Sequence, residues 1–341
     1  MAPAPLFLPV ADSWIEIRIE NDELAAQIAQ LWEHLVVTEP PAGAEAEPVT
    51  IGAEINPKDP SAAYVASGLI TRAVITALRG RYLLLHGAAL ARDGKAIAMV
   101  APSGMGKSTA AVTLGAAPDV EYLTDECVII DPRTWSVYSY PKPVSRVVSR
   151  DPFFKADFAP AELGLAPGRE PRALAGVYLL QRDGGAPQLE NAPLVETLSD
   201  LAPLTSSLDA LESPLGTVAT MLDHVDSAQR VNYAESSGLG ELLWSGVRKP
   251  SGERSWELLP PWNESTLATG DPARREQIRR GQYQDALVGD DGVAVLREGQ
   301  VMRLAGLPAL IWLLLLEHGP LTHSALETAI SHEIGSSADA P

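Results

Sequence analysis

The chain is poor in cysteine, in basic charge and in long apolar runs, and each shortage removes a class of protein. Cys127 is the single cysteine among 341 residues. It cannot close an internal disulfide, and no structural zinc site can be built from cysteines, so a reducing, cytoplasmic compartment is the expectation. With 26 Lys and Arg against 44 Asp and Glu the formal net charge is −18. That balance opposes non-specific attraction to nucleic acid or to an anionic membrane, with a local basic pocket for phosphate as the exception. The stretch from Met1 to Trp14 has neither a basic n-region nor a sustained apolar core, and the longest apolar run, Leu307 to Leu316, falls short of the ~20 residues that cross a bilayer. Neither a nucleic-acid nor a membrane partner is expected. The chain contains no internal repeat.

What is present is an ordinary globular composition, 46% hydrophobic and 21% charged, with 28 prolines and 27 glycines marking many turns. The length allows two or three domains. Apolar alternation predicts strands at Trp14 to Ile19 and Glu47 to Ile55, and helical spacing predicts helices at Asp22 to Leu35 and Ala62 to Gly80. Strands are then expected at Tyr82 to Ala91 and Ala96 to Ala101, joined through Asp93-Gly94, a pair that favours a tight hairpin. A helix from Lys107, a strand from Glu121 to Ile130 and an antiparallel return at Trp135 to Tyr140 follow. Asp151 to Pro171 reads as a loop with a short helix, Leu174 to Arg182 as a strand, and Pro203 to Leu243 as helical segments. The expected fold class is α/β with a mixed sheet. The expected divisions are a small α+β domain at 1–60, a nucleotide-binding domain at 61–262, a linker at 263–284 and a winged-helix-like domain at 285–341.

The stretch "MVAPSGMGKSTAA", Met99 to Ala111, is the clearest chemical signal. A strand, a glycine-containing loop and a helix N-terminus aim backbone N–H groups at one point, where an anion binds. Gly104 and Gly106 let the backbone approach closely, Lys107 reaches the β- and γ-phosphates, and the Ser108 hydroxyl is suited to Mg²⁺. Ala101 stands where glycine is usual, and its methyl group fits if φ is negative. The nucleotide-binding set is therefore Ala101, Pro102, Ser103, Gly104, Met105, Gly106, Lys107, Ser108 and Thr109. A plain tight turn is the bland alternative.

Asp125 and Glu126 follow in "LTDECVII". Neighbouring side chains on a strand point to opposite faces, so both acids face a phosphate only if the strand ends or bulges there. One acid would then hold Mg²⁺ and the other take a proton from an incoming hydroxyl. A solvated strand edge is the alternative. His86 lies in the strand that pairs with the one entering the loop, as a phosphate contact, a partner to Asp125 or a hydrogen-bonded core residue. Cys127 reads as buried filler.

The run "LLLHGAALARDGKAIAMVAPSGMGKSTAAVTL" followed by "LTDECVIID" resembles the catalytic domain of the HPr serine kinase/phosphorylase family. The resemblance implies a nucleotide core of the phosphoenolpyruvate-carboxykinase type and ATP with Mg²⁺ as cofactors. It also implies Lys107 and Ser108 as phosphate and metal contacts, Asp125 as general base, Glu126 as second metal ligand and His86 as a site residue. Two features depart from the family: Glu126 replaces its usual second aspartate, and its later Glu-x-Arg-Gly-x-Gly signature is absent. The chain is closer to the HPr-kinase-like enzymes of peptide-modification clusters, which implies phosphorylation of a hydroxyl, such as a serine, on a peptide or small molecule. Asp285 to Gly335 resembles the PqqD-like peptide-binding domains, which implies a precursor-peptide leader taken up as an added strand. A dimerisation module is the alternative for that segment. For the whole chain the rival is a nucleotide-switched peptide-binding chaperone that transfers no phosphate.

Overall fold

The computed structural model describes residues 3–252, 254–262 and 277–338. The chain is a mixed α/β protein with several sheets, divided into two compact units. The first comprises Met1–Ala192, Leu204–Glu212 and Thr220–Gly252, and the second Pro193–Pro203, Ser213–Ala219 and Glu253–Pro341. Most of the expected linker, 263–276, lies outside the described residues. Among the described residues no helix is long and apolar enough to cross a membrane.

The first unit opens with β1 (Leu6–Val10) antiparallel to β2 (Ser13–Ile19), then α1 (Asp22–Leu31), and β3 (Ala46–Ile51) parallel to β2. The Asn21 side chain caps α1 by accepting from the N–H groups of Glu23 and Leu24, both at 3.0 Å, which satisfies donors that a helix start leaves orphaned. Next comes α2 (Ala62–Leu78), followed by Gly80 at φ +73°. Ile17, Leu24, Trp32 and Val74 of this region share one core with Leu84 and Ile129 of the main sheet.

That main sheet is built around a hairpin of β4 (Leu83–Arg92) and β5 (Lys95–Val100). Asp93 and Gly94 both have positive φ, +52° and +75°, the backbone that a tight two-residue turn matched to strand twist requires. From β5 the chain passes through the glycine-containing loop into α3 (Lys107–Gly115). The expected single strand from Glu121 to Ile130 is two, β6 (Glu121–Thr124) and β7 (Cys127–Ile130), and β8 (Ser136–Tyr138) returns antiparallel to β7.

The segment expected as a loop with a short helix instead carries half of a hairpin, β9 (Val144–Arg150) with β10 (Phe153–Phe158), which forms its own two-stranded sheet before a short 3₁₀ turn at Pro160–Leu163. Only Val144 and Asp157 of the pair are buried, so no alternating apolar pattern marks it. Then follow β11 (Ala166–Pro167), β12 (Arg172–Arg182), β13 (Gln188–Asn191), α4 (Leu194–Leu201), β14 (Thr205–Ser206), α5 (Pro214–His224), β15 (Gln229–Tyr233) and α6 (Gly240–Ser245). In the region expected to be helical, β15 is a strand. Its buried positions include the polar Gln229, which masks the alternation. The central order β4, β5, β12, β15 is antiparallel at its first pairing and parallel at the next two.

The second unit holds the sheet β16 (Trp256–Leu258), β18 (Asp285–Gly289), β19 (Gly292–Arg297), β20 (Gln300–Leu304), with β17 (Gln277–Ile278) paired to β21 (Leu321–Thr322). Helices α7 (Leu307–Glu317) and α8 (His323–Ala338) complete it. It is assembled from distant segments: α4 packs on β19 and β20, and the Asp291 carboxylate caps α4 by accepting from Val195 and Glu196 at 2.9 and 3.0 Å. Arg303 pairs with Glu196 at 2.6 Å. Replacing a capping side chain costs ~1 kcal/mol. Asp291→Ala is therefore expected to lower stability by about that amount, and Asp291→Asn by less, read from urea-unfolding midpoints of the full chain.

Candidate functional site

The loop after β5 is shaped by two glycines in the left-handed region, Gly104 at φ +88° and Gly106 at φ +92°. A β-carbon at Gly106 would lie 2.6 Å from the Tyr233 hydroxyl, which itself donates to the Met105 carbonyl at 2.5 Å. Tyr233, at the end of β15, thus clamps the loop. Ala101 is buried and takes no positive φ, so its methyl group is accommodated. Lys107 is 7% exposed, and its Nζ donates to the carbonyls of Ala101 at 2.5 Å and Pro102 at 3.3 Å. Burial lowers its pKa.

The loop faces a cleft of about 790 Å³, within the range of ligand sites. Ser103, Gly104, Gly106, Lys107, Ser108 and Thr109 line it, and so do His86, Asp125 and Glu126. Ala101, Pro102 and Met105 do not line it and instead support the loop from behind. All three residues expected to carry catalysis, Asp125, His86 and Lys107, are in one place.

The two acids reach the cleft because the strand breaks where they stand, between the end of β6 at Thr124 and the start of β7 at Cys127. One side of β4 pairs with β7 from Leu83 to His86 and with β6 from Ala89 to Ala91. At the changeover the Gly87 N–H donates to the Glu126 carbonyl at 3.2 Å, and a β-carbon at Gly87 would approach the Met99 carbonyl to 2.8 Å. Thr124 Oγ1 accepts from the N–H groups of Glu126 and Cys127, each at 3.3 Å. The break is thereby hydrogen-bonded rather than left open.

Asp125 is buried, whereas the Glu126 side chain is 39% exposed. Asp125 accepts from the Tyr122 hydroxyl at 3.0 Å and lines the cleft together with Ser108. The ammonium of Lys142, itself buried, lies 3.9 Å from Asp125 Oδ1 and 3.9 Å from Glu126 Oε2. Burial raises the pKa of Asp125, opposed by Lys142 and reinforced by Glu126. For Lys142 burial acts downward, but Asp125, Asp157 and Glu126 together outweigh it and raise its pKa. The asymmetry follows from the neighbours: Lys142 has three acids about it, whereas Asp125 has the like charge of Glu126 beside it as well as cations. His86 Nδ1 is 3.5 Å from Glu126 Oε1, so its acidic neighbour is Glu126.

The opposite wall was not legible in the sequence. Arg146, Arg150, Phe153 and Lys155 from the β9–β10 hairpin, with Arg182 from β12, line the cleft. These four cations, with Lys107 of the loop, line the cleft alongside two acids in a chain with a large acidic excess. Arg182 is held by Glu235 at 3.0 Å, and Lys155 lies over the Tyr64 ring at 5.4 Å. The one sequence signal was the repeated arginine of "VSRVVSR".

Among the described residues no group of three or more His, Cys, Asp or Glu could hold a metal ion unaided. The oxygens of Ser108, Asp125 and Glu126 are the hard donors present, a small set of the kind that suits Mg²⁺ when phosphate and water supply the remaining ligands. In comparison with known proteins, no family model matches the chain and no curated protein matches it.

Because the folded protein raises the pKa of Asp125, the stability tied to this group is fully present below the unfolded value and is lost as pH rises through the folded one. Lys142→Met removes the main opposing charge and strands a buried carboxylate, a change worth about 3 kcal/mol or more. The expected deficit is larger at pH 8 than at pH 5, measured by urea unfolding at the two values.

Proposed function

We propose that the cleft is a phosphotransferase site that binds ATP with Mg²⁺ and passes the γ-phosphoryl group to a hydroxyl, such as a serine, of a peptide or small-molecule acceptor. The observation that carries this reading is the placement of a buried carboxylate, Asp125, in one cleft with Lys107 and Ser108 on the first turn of the helix that follows the glycine loop. The antiparallel hairpin entering that loop within a mixed sheet supports the likeness to HPr-kinase-type P-loop cores.

In this reading the loop N–H groups and Lys107 hold the phosphates. A group with this much positive charge around it has its developing negative charge stabilised, and positioning with electrostatics supplies most of phosphoryl-transfer catalysis. Ser108 with Glu126 would hold Mg²⁺, which when bound neutralises phosphate charge. Asp125 takes the acceptor's proton: its raised pKa brings it nearer neutrality, where a general base is more effective, and Tyr122 and Lys142 hold its orientation. His86 bears on the reaction through Glu126. The C-terminal unit offers an edge strand, β20, with Met302 46% exposed, the kind of surface on which a leader peptide is captured by strand addition.

Mg²⁺-ATP is expected to raise the melting temperature of the wild type by mass action, and Lys107→Ala to abolish most of that shift in a thermal-denaturation assay. An undiminished shift would remove the loop from nucleotide binding. Asp125→Asn is expected to keep the shift while lowering transfer from radiolabelled ATP by about 10²–10⁴-fold. The wild-type rate should fall as pH drops through an inflection above the ordinary carboxylate range, and Lys142→Met should move that inflection upward. A wild-type inflection in the ordinary carboxylate range would place the base elsewhere.

A further inference from the structure

Glu126 lies where two cavities meet, and Asp125, its neighbour in the chain, lines the larger of them. Beside the main cleft is a second cavity of about 320 Å³ against α2, and Tyr64, Glu126 and Ser145 line both. The larger holds the glycine loop; the smaller holds none of it and has Lys142 and one face of α2 instead. Group transfer needs two bound partners whose reacting atoms converge at the base.

The α2 wall is a stripe of Tyr64, Gly68, Thr71, Arg72 and Ile75, spaced to share one helical face. Gly68 sits inside a 17-residue helix, where glycine costs ~0.5–1 kcal/mol relative to alanine. Its φ is not positive, and a β-carbon added there would meet nothing within 4 Å. Neither backbone conformation nor a packed neighbour requires it, and its effect is to keep the cavity open. The hydroxyls of Ser67 and Thr71 are committed inward, to Trp32 Nε1 at 3.2 Å and the Tyr140 hydroxyl at 2.9 Å. Arg72 has no ion-pair partner among the described residues, nor do Arg146 and Arg150 on the adjoining cleft. With 44 acidic side chains against 26 basic ones, an arginine without an ion pair on the smaller cavity and two more on the larger one it adjoins make the pair of cavities complementary to negative ligands.

We propose that this second cavity is the acceptor site and that its occupant is a short acidic peptide segment, with a seryl or threonyl hydroxyl directed at Asp125 and a neighbouring carboxylate on Arg72. The proposal rests on the phosphotransferase reading above. The hydroxyl oxygen forms the new bond to the γ-phosphorus as the bond from that phosphorus to the bridging oxygen breaks; ADP leaves with that electron pair, and the hydroxyl proton passes to Asp125. A cavity near the lower bound of ligand sites takes a hydroxyl residue and its neighbours rather than a folded surface.

The test uses the full chain, radiolabelled Mg²⁺-ATP and serine-centred peptides flanked by glutamate, alanine or lysine. Wild type is expected to favour glutamate flanks by about tenfold in kcat/KM, and Arg72→Glu to shift the preference to lysine flanks. Gly68→Leu is expected to lower kcat/KM for the peptide at least tenfold with the Mg²⁺-ATP thermal shift retained. Leucine is the better helix former, so an equal or higher melting temperature separates occlusion from misfolding. An unaltered flank preference in Arg72→Glu, wild-type transfer by Gly68→Leu, or no labelling of any peptide by a wild type that shows the ATP shift would each overturn the acceptor assignment. Absence of the ATP shift in the wild type would instead overturn the reading beneath it.

Discussion

A carboxylate cannot stay buried without compensation, and the Asp125–Lys142 pair is the constraint around which the rest of the cleft is arranged. Removing an ion from water costs several kcal/mol even after relaxation, and the surroundings of Asp125 supply what offsets it: an ammonium and the Tyr122 hydroxyl. Lys142 in turn donates to the Pro143 carbonyl at 2.9 Å. Its charge is further balanced by Asp157, whose Oδ1 accepts from Ser145 at 2.6 Å. The hairpin that begins at Val144 is thus tied into the same charge network as the strand break on the far side of the cleft.

Legibility in the sequence followed locality. The Asp93-Gly94 turn, the strand into the loop and the helix from Lys107 depend on neighbours a few residues away, and composition alone announces them. The pairing of two acids in "LTDECVII" indicated that a strand must break for both to reach a phosphate, and the break at Thr124 is that feature. What could not be read is whatever depends on residues far apart in sequence. The Tyr233 clamp on Met105 joins positions 128 residues apart, and Lys142 is an unremarkable lysine until the fold buries it. The β9–β10 hairpin escaped for another reason: strands outside a core have no buried face, so periodicity has nothing to record.

His86 illustrates how placement divides roles that a sequence leaves joined. Pairing with Cys127 in the β4–β7 ladder fixes its position, and Gly87 beside it is required by the close approach of β5. The histidine therefore faces the more exposed acid at the rim, Glu126, while the buried acid is served by lysine and tyrosine. Two adjacent carboxylates acquire different environments from one hydrogen-bonded kink, the arrangement by which proteins separate the tasks of like groups.

The discontinuous build of the C-terminal unit has a consequence for the chain as it is made. Helix α4 buries Val195, Leu198 and Leu201, yet its cap, Asp291, lies 96 residues later. At the ~5–20 residues per second of synthesis, roughly 5–20 s separate the appearance of that apolar face from the appearance of the strands that cover it. Until those strands are made, the apolar face of α4 has no cover from its own sheet, and an exposed apolar face of this kind is what makes incompletely folded chains prone to associate.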